Sequence, residues 1–407
     1  MDVLEFKSNK TGSGYGLMLV LSMLVLLTVP ASAFAQDDNV VATLRQIGRT
    51  FAEISEKASP AVVSLTIERP ALRGQLGAKQ WWKVGSGGSL PVLPELPGNY
   101  QLLRPDPPYS RPRSTLIQPL GQKSPGLGLI VSDDGHILTC HHIVDGARKV
   151  QAKLADGRDF EAEIIGTDPE TDIAVIKIDA NNLPVLKLSD SDALVVGDWV
   201  VGIGNAMGLG RTFAAGLVTA KGRSGLGLAA LEDLVQTSIN LQIGDGGGPL
   251  LDLDGNVVGI NIATIGGGRG TGISFAIPAG MAKGIYEQLI KTGVVERGFL
   301  GIALRDVNAE MAEALGLETT EGVIIIDVIK DSAAEKAGIR KNDILVEFNG
   351  EPIESASRLP ISVAALRPGT QAEVVVLRGG QHQNLTVTLG KRPPMQPRTP
   401  DDVLKAP

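Results

Sequence analysis

Gly244-Asp245-Gly246-Gly247-Gly248-Pro249-Leu250 is a glycine-rich run in which position 246 carries no side chain. Glycine there offers no oxygen or sulfur to attack a carbonyl. The run lies within residues 197–278, which read as short strands with turn signals at Gly208 and Asp254-Gly255. An earlier set, residues 126–178, is broken at Asp134-Gly135 and Asp156-Gly157. Short strands with closely spaced turn signals predict β-barrels or sandwiches. Ala61-Val62-Val63-Ser64-Leu65-Thr66-Ile67 reads as a first strand ahead of both sets.

The chain has 407 residues, enough for two or three domains, and its hydrophobic fraction of 43% supports real cores. Its net charge of -7, with no basic block, argues against nucleic acid as a partner. Cys140 is the single cysteine, so an intramolecular disulfide is excluded. Cys140, His141 and His142 are adjacent, and neighbouring strand residues point to opposite faces. They are therefore expected not to converge. Cys140 reads as a small buried residue turned away from His142, and neither a metal site nor a cofactor is expected.

Residues 1–35 read as an export signal. Lys7 and Lys10 precede an apolar stretch, Leu17 to Val29, that is short for a membrane span. Ala31-Ser32-Ala33 and Ala33-Phe34-Ala35 are small-residue cleavage sites. The body of the protein is expected outside the cytoplasm, in the periplasm, and membrane-associated if the signal is not cleaved. Residues 36–60 contain an amphipathic helix, with Val41, Leu44, Ile47, Phe51 and Ile54 spaced by three or four. Pro60 ends it. The segment at about 70–124 is rich in proline and glycine, which excludes sheet interior. Its Trp81, Trp82 and Tyr100 either dock on a neighbouring subunit or client, or cover the chain's own barrel. Residues 392–407 have proline and charge without apolar periodicity, which predicts a disordered tail.

Several segments resemble one family. Thr139-Cys140-His141-His142-Ile143-Val144-Asp145-Gly146-Ala147 is similar to the histidine segment of the HtrA/Deg family of trypsin-like serine proteases. Asp168-Pro169-Glu170-Thr171-Asp172-Ile173-Ala174-Val175 resembles its aspartate segment. Gly202 to Leu209 and Gly272 to Pro278 also match, as does the glycine run itself, where the family has serine at the position of Gly246. The resemblance covers roughly residues 125–390. It implies a mainly β fold, with a trypsin-like double six-stranded β-barrel over 61–290 followed by one α+β PDZ domain over 297–391. It also implies a homotrimer built with the N-terminal region.

The resemblance assigns roles residue by residue. His142 stands where the general base belongs, and Asp172 where its orienting carboxylate belongs. The amides of Gly244 and Gly246 stand where the oxyanion hole belongs, and Gly246 where the nucleophile belongs. The loss is confined to one residue, because the wider trypsin-like group tolerates Asp at position 245. The three consecutive glycines are expected to loosen the oxyanion loop. Ser238 has no reason to face His142, and Ser274 is expected on a substrate-facing strand. Arg297-Gly298-Phe299-Leu300-Gly301-Ile302 looks like a PDZ carboxylate-binding loop. Phe299, Leu300, Gly301 and Ile302 would offer amides to a C-terminal carboxylate while the peptide adds to the sheet edge. Pro360 is expected to shorten the groove-lining helix.

These features predict an exported protease homologue that lacks its nucleophile. Its partners would be unfolded or C-terminal peptide segments of exported proteins, in a homotrimer or in mixed assembly with an active relative. An active serine endopeptidase and a PDZ scaffold are the rival readings.

Overall fold

A computed structural model describes residues 38–70, 124–205, 210–242, 244–265, 273–315 and 320–393. The expected signal, the Pro/Gly-rich segment with its two tryptophans and Tyr100, the turn at Gly208 and most of the tail lie outside the described residues. The chain divides into two compact units, residues 1–53 and 54–407. Helix α1 (Asp38–Ala58) supplies the described part of the first unit and runs on into the second. Val40, Leu44 and Ile47 on it are exposed. A 3-10 turn, Ser59–Ala61, follows and takes Pro60 into its start, as the proline predicts.

In the second unit, the alternating apolar residues close into two six-stranded barrels. The first uses β1 (Val62–Glu68), β2 (Ser124–Ile130), β3 (His136–Cys140), β4 (Lys149–Lys153), β5 (Asp159–Asp168) and β6 (Ile173–Lys177), in the order β1-β2-β3-β6-β5-β4. One-turn helix α2 (His141–Val144) interrupts it immediately after β3. The second uses β7 (Trp199–Gly204), β8 (Thr212–Arg223), β9 (Leu234–Thr237), β10 (Pro249–Leu251), β11 (Val257–Ile265) and β12 (Ile273–Pro278), in the order β10-β11-β12-β9-β8-β7. Closure removes free strand edges and turns one face of every strand into core. Leu65, Ile67, Leu129, Ile137 and Ile176 are fully buried in the first barrel's strands, and Val200, Val218, Leu250 and Val258 pack together in the second.

Helix α3 (Ala279–Thr292) then buries Ala282, Ile285 and Leu289 and ends at Gly293, whose left-handed backbone caps it. The sequence expectations did not include this helix. Its signal is present in that apolar spacing followed by glycine.

The last domain comprises β13 (Gly298–Phe299), β14 (Ile302–Asp306), α4 (Ala309–Leu315), β15 (Val323–Val328), α5 (Ala333–Lys336), β16 (Ile344–Phe348), β17 (Glu351–Pro352), α6 (Arg358–Ala365), β18 (Gln371–Arg378), β19 (Gln381–Thr388) and β20 (Gly390–Lys391). Its main sheet runs β14-β15-β16-β18-β19, which leaves β14 at an edge. Asn349-Gly350 and Gly379-Gly380 form the two-residue hairpins, with positive φ at all four residues. Ser332 caps α5, accepting from the Glu335 amide at 3.2 Å. Pro360 sits in the first turn of α6, where its missing donor is not required, and the helix continues to Ala365.

Arg297 ties this domain to the first barrel. Its guanidinium grips the Asp168 carboxylate with both outer nitrogens, one bond measuring 2.9 Å, and both side chains are buried. Thr171 also donates to Asp168. Nearby, Arg392 Nε lies 2.7 Å from Glu170 Oε2, an ion pair without hydrogen-bond alignment. Removing one member of a buried pair strands the other charge. Arg297→Leu should therefore cost roughly 3–5 kcal/mol in denaturant unfolding. The double variant Arg297→Leu, Asp168→Leu should recover most of that loss. No recovery in the double variant would contradict this account.

Candidate active site

The histidine segment leaves β3 and turns at once into α2, so strand alternation stops at Cys140. The His142 amide donates to Asp172 Oδ1 at 2.8 Å, and its ring Nδ1 bonds to Asp172 Oδ2 at 2.6 Å. The His141 amide donates to the Asp172 carbonyl at 2.9 Å. Asp172 thus receives three bonds from two consecutive residues. It adopts a left-handed backbone, φ 64°, which non-glycine residues rarely do. Its carboxylate is buried, whereas half of the His142 side chain is exposed (51%). Ring Nδ1 therefore points inward, and Nε2 faces the position of Gly246.

A Cβ built on Gly246 would lie 3.5 Å from His142 Nε2, 3.6 Å from Ile143 Cδ1 and 3.7 Å from the Ile262 carbonyl. These are ordinary contacts, and the Gly246 backbone lies outside the left-handed region. A side chain fits there and would meet the ring nitrogen opposite Asp172. Gly247 contrasts with it: φ is 80°, and a Cβ would lie 2.1 Å from the Leu127 carbonyl and 2.5 Å from Thr139 Oγ1. Only glycine satisfies position 247, whereas nothing in the packing requires glycine at 246.

The glycine run is also held more firmly than its composition predicts. The Gly246 carbonyl accepts from the Leu127 amide at 2.9 Å, and the Gly247 amide donates to the Asn261 carbonyl at 2.8 Å. Both Asp245 carboxylate oxygens accept backbone amides, Oδ1 from Asn205 at 2.8 Å and Oδ2 from Gln242 at 2.7 Å. Burial pushes the Asp245 carboxyl above its ordinary range, and those two amides oppose the shift. Among the described residues, neither the Gly244 nor the Gly246 amide has a backbone acceptor. Against the expected looseness stand these hydrogen bonds at Asp245, Gly246 and Gly247.

Two further expectations change. Cys140 is fully buried, as expected, but it does not turn away from the histidine. Its thiol, the His142 ring and the Asp172 carboxylate place one ligand-type atom each within 4.8 Å of one another. The reason is α2, which replaces strand alternation with a helical turn. Burial, and after it the charge of Asp172, push the Cys140 thiol well above its ordinary value. Ser274 is buried rather than substrate-facing, its hydroxyl donating to the Ile239 carbonyl at 2.5 Å. Ser238 accepts from the Leu217 amide at 2.9 Å and is held against β8.

In the last domain, Phe299 to Ile302 connect β13 to the edge strand β14. Gly301 has φ 80°, and a Cβ there would lie 2.4 Å from Ser332 Cβ. Ile302 pairs with Val328, and Leu300 is buried in the domain core. A strand at the edge of a sheet is the arrangement to which an extended peptide adds.

Two barrels that bring a histidine–aspartate pair to a glycine-rich loop, followed by such an edge-strand domain, define a trypsin-like peptidase scaffold with a PDZ domain. The trypsin-like peptidase domain family matches residues 126–260, and the PDZ domain family matches residues 298–389. A probable periplasmic DegP-like serine endoprotease of Marinomonas is 40% identical over 351 residues, covering 84% of this chain and 71% of that relative. Its counterpart in Chlamydia muridarum is 46% identical over 269 residues, 66% of this chain and 54% of the relative. The chain thus spans about half the length of some of the relatives it matches. The solved HtrA-type protease AlgW with a decapeptide is 34% identical, with a TM-score of 0.64, covering 85% of this chain and 99% of that one. The chain belongs to the HtrA/Deg family of trypsin-like serine proteases with a C-terminal PDZ domain.

The two neighbouring glycines should respond oppositely to alanine. Gly246→Ala should change unfolding free energy by less than about 1 kcal/mol. Gly247→Ala should cost at least about 2 kcal/mol through backbone strain and overlap. Urea titrations of both variants check this, and equal effects would refute the distinction.

Proposed function

We propose that this protein is an exported pseudoprotease of the HtrA/Deg family that holds unfolded polypeptides or C-terminal tails without cutting them. The observation that carries this reading is the conjunction at Gly246. A histidine–aspartate pair is in hydrogen-bonded register, a side chain would fit opposite it, and none is there. Without a nucleophile, acyl transfer by this route cannot start. In a well-studied serine protease, removing the nucleophile costs on the order of a millionfold in turnover.

Peptide holding draws support from two places. The edge strand β14 and the loop Phe299–Ile302 are built for strand addition, and solved relatives are described with bound peptides. Export to the periplasm draws support from the relatives' description as periplasmic and from the signal-like N-terminus. Assembly into a homotrimer, or mixed with an active relative, rests on the family resemblance of the N-terminal region.

The test compares the unmodified protein with Gly246→Ser on an unfolded, fluorogenic protein substrate. The expected result is cleavage by the serine variant alone, with a gain of at least about a thousandfold, because base, orienting acid and binding are in place. Adding His142→Ala should abolish that gain. Cleavage by the unmodified protein that His142→Ala stops would overturn the reading in favour of an active endopeptidase. Failure of the unmodified protein to bind unfolded or C-terminal peptides would overturn the holding role.

A further inference from the structure

We propose that Cys140, His142 and Asp172 form a binding site for a divalent cation of the zinc class at the floor of the candidate active site. The inference rests on the reading of position 246 as lacking a nucleophile, and its test reads metal binding, which is separate from cleavage.

The geometry is that of a partly assembled ligand shell. A thiol sulfur, an imidazole nitrogen and a carboxylate oxygen lie within 4.8 Å of one another. These are the three side-chain donor types that zinc takes. Around a tetrahedral zinc such donors sit roughly 3.3–3.7 Å apart, so the longest separation must close by up to about 1 Å and the 2.6 Å contact of His142 Nδ1 with Asp172 must open by about as much. His142 is the member with room to move: half its side chain is exposed, and it stands on a one-turn helix. The Cys140 thiol donates to the Asn261 carbonyl at 3.5 Å, which holds the sulfur in place.

The charges point the same way. A buried carboxylate and a buried thiol adjoin each other, and among the described residues no lysine or arginine pairs with Asp172. A bound divalent cation would compensate the carboxylate and the thiolate together. It would take the place of the proton that His142 Nδ1 and Asp172 Oδ2 now share. The ring proton would move to Nε2, which keeps the imidazole neutral, and the thiol proton would pass to solvent. The exchange is incompatible with a working nucleophile, which needs the Nδ1 bond to Asp172 to orient the ring. With glycine at 246, nothing on the Nε2 side requires that bond. The missing side chain also leaves the ring open to the cleft through which an ion would enter.

The test is a cobalt titration of the full, chelator-stripped protein. Cys140 is the single cysteine, so a thiolate-to-cobalt charge-transfer band can arise from no other residue. The expected result is one equivalent of cobalt producing that near-ultraviolet band with the intense visible bands of tetrahedral coordination, both erased by zinc. Cys140→Ser should abolish the charge-transfer band. Asp172→Asn and His142→Ala should each weaken cobalt binding by about tenfold or more, with circular dichroism showing that each variant is folded. Absence of the band in the unmodified, folded protein would overturn the proposal whatever the variants do. So would a band whose affinity is unchanged in both Asp172→Asn and His142→Ala.

Discussion

The backbone bond from the Leu127 amide to the Gly246 carbonyl, with the absence of any side chain at Gly247, sets the geometry of the whole site. Leu127 belongs to the first barrel and the glycine run to the second. Their approach is so close that a Cβ at 247 would overlap the Leu127 carbonyl. Thr139, one residue before Cys140, donates to that same carbonyl at 2.6 Å. One residue of β2 thus registers both the glycine run, through its amide, and the end of the histidine strand, through its carbonyl. Gly246 faces His142 as a consequence of how the two barrels dock, not of any contact between those two residues.

The aspartate segment has a second set of obligations. Asp168 closes β5 and is held by Arg297, while Asp172 immediately precedes β6 and is held by the amides of His141 and His142. The three residues between them are fixed at both ends. Glu170 among them faces Arg392 from the far end of the PDZ domain, and its carbonyl accepts the amides of Ala230 and Leu231. The left-handed backbone of Asp172 is therefore over-determined by its surroundings, the condition under which such a conformation persists. The turn that presents Asp172 to His142 is thus the turn on which the last domain is seated.

Sequence reading recovered the features that are local or punctuated by turns. The hairpins at Asn349-Gly350 and Gly379-Gly380, the strand Val323–Val328 and the N-terminal helix follow from residue types that specify backbone conformation on their own. The convergence of His142, Asp172 and Gly246 was legible through the family resemblance, since no periodicity links positions 142, 172 and 246. Cys140 departs from strand alternation because β3 becomes α2 at the very next residue. The stiffness of the glycine run was invisible for another reason: its partners, Leu127 and Asn261, come from distant strands. Helix α3 carried its own signal in Ala282, Ile285, Leu289 and Gly293, but lay where the barrel was taken to continue.

Not every residue of the site testifies equally to function. Asp172 braces the turn that Arg297 and Arg392 grip, and Gly247 is demanded by the docking of the barrels. Each thus has a duty in packing or backbone bonding that is independent of any substrate. The His142 backbone contributes to the same bracing through its amide, so part of the histidine–aspartate arrangement would outlast any reaction. Gly246 has no such duty: its space admits a side chain, its backbone is ordinary, and its carbonyl bond to Leu127 is available to any residue. Packing therefore cannot explain the glycine, and its identity bears on chemistry alone. Because the side chain it lacks would have met Nε2, its loss leaves the ring tethered on one side only, through Nδ1 to a buried carboxylate that adjoins a buried thiol.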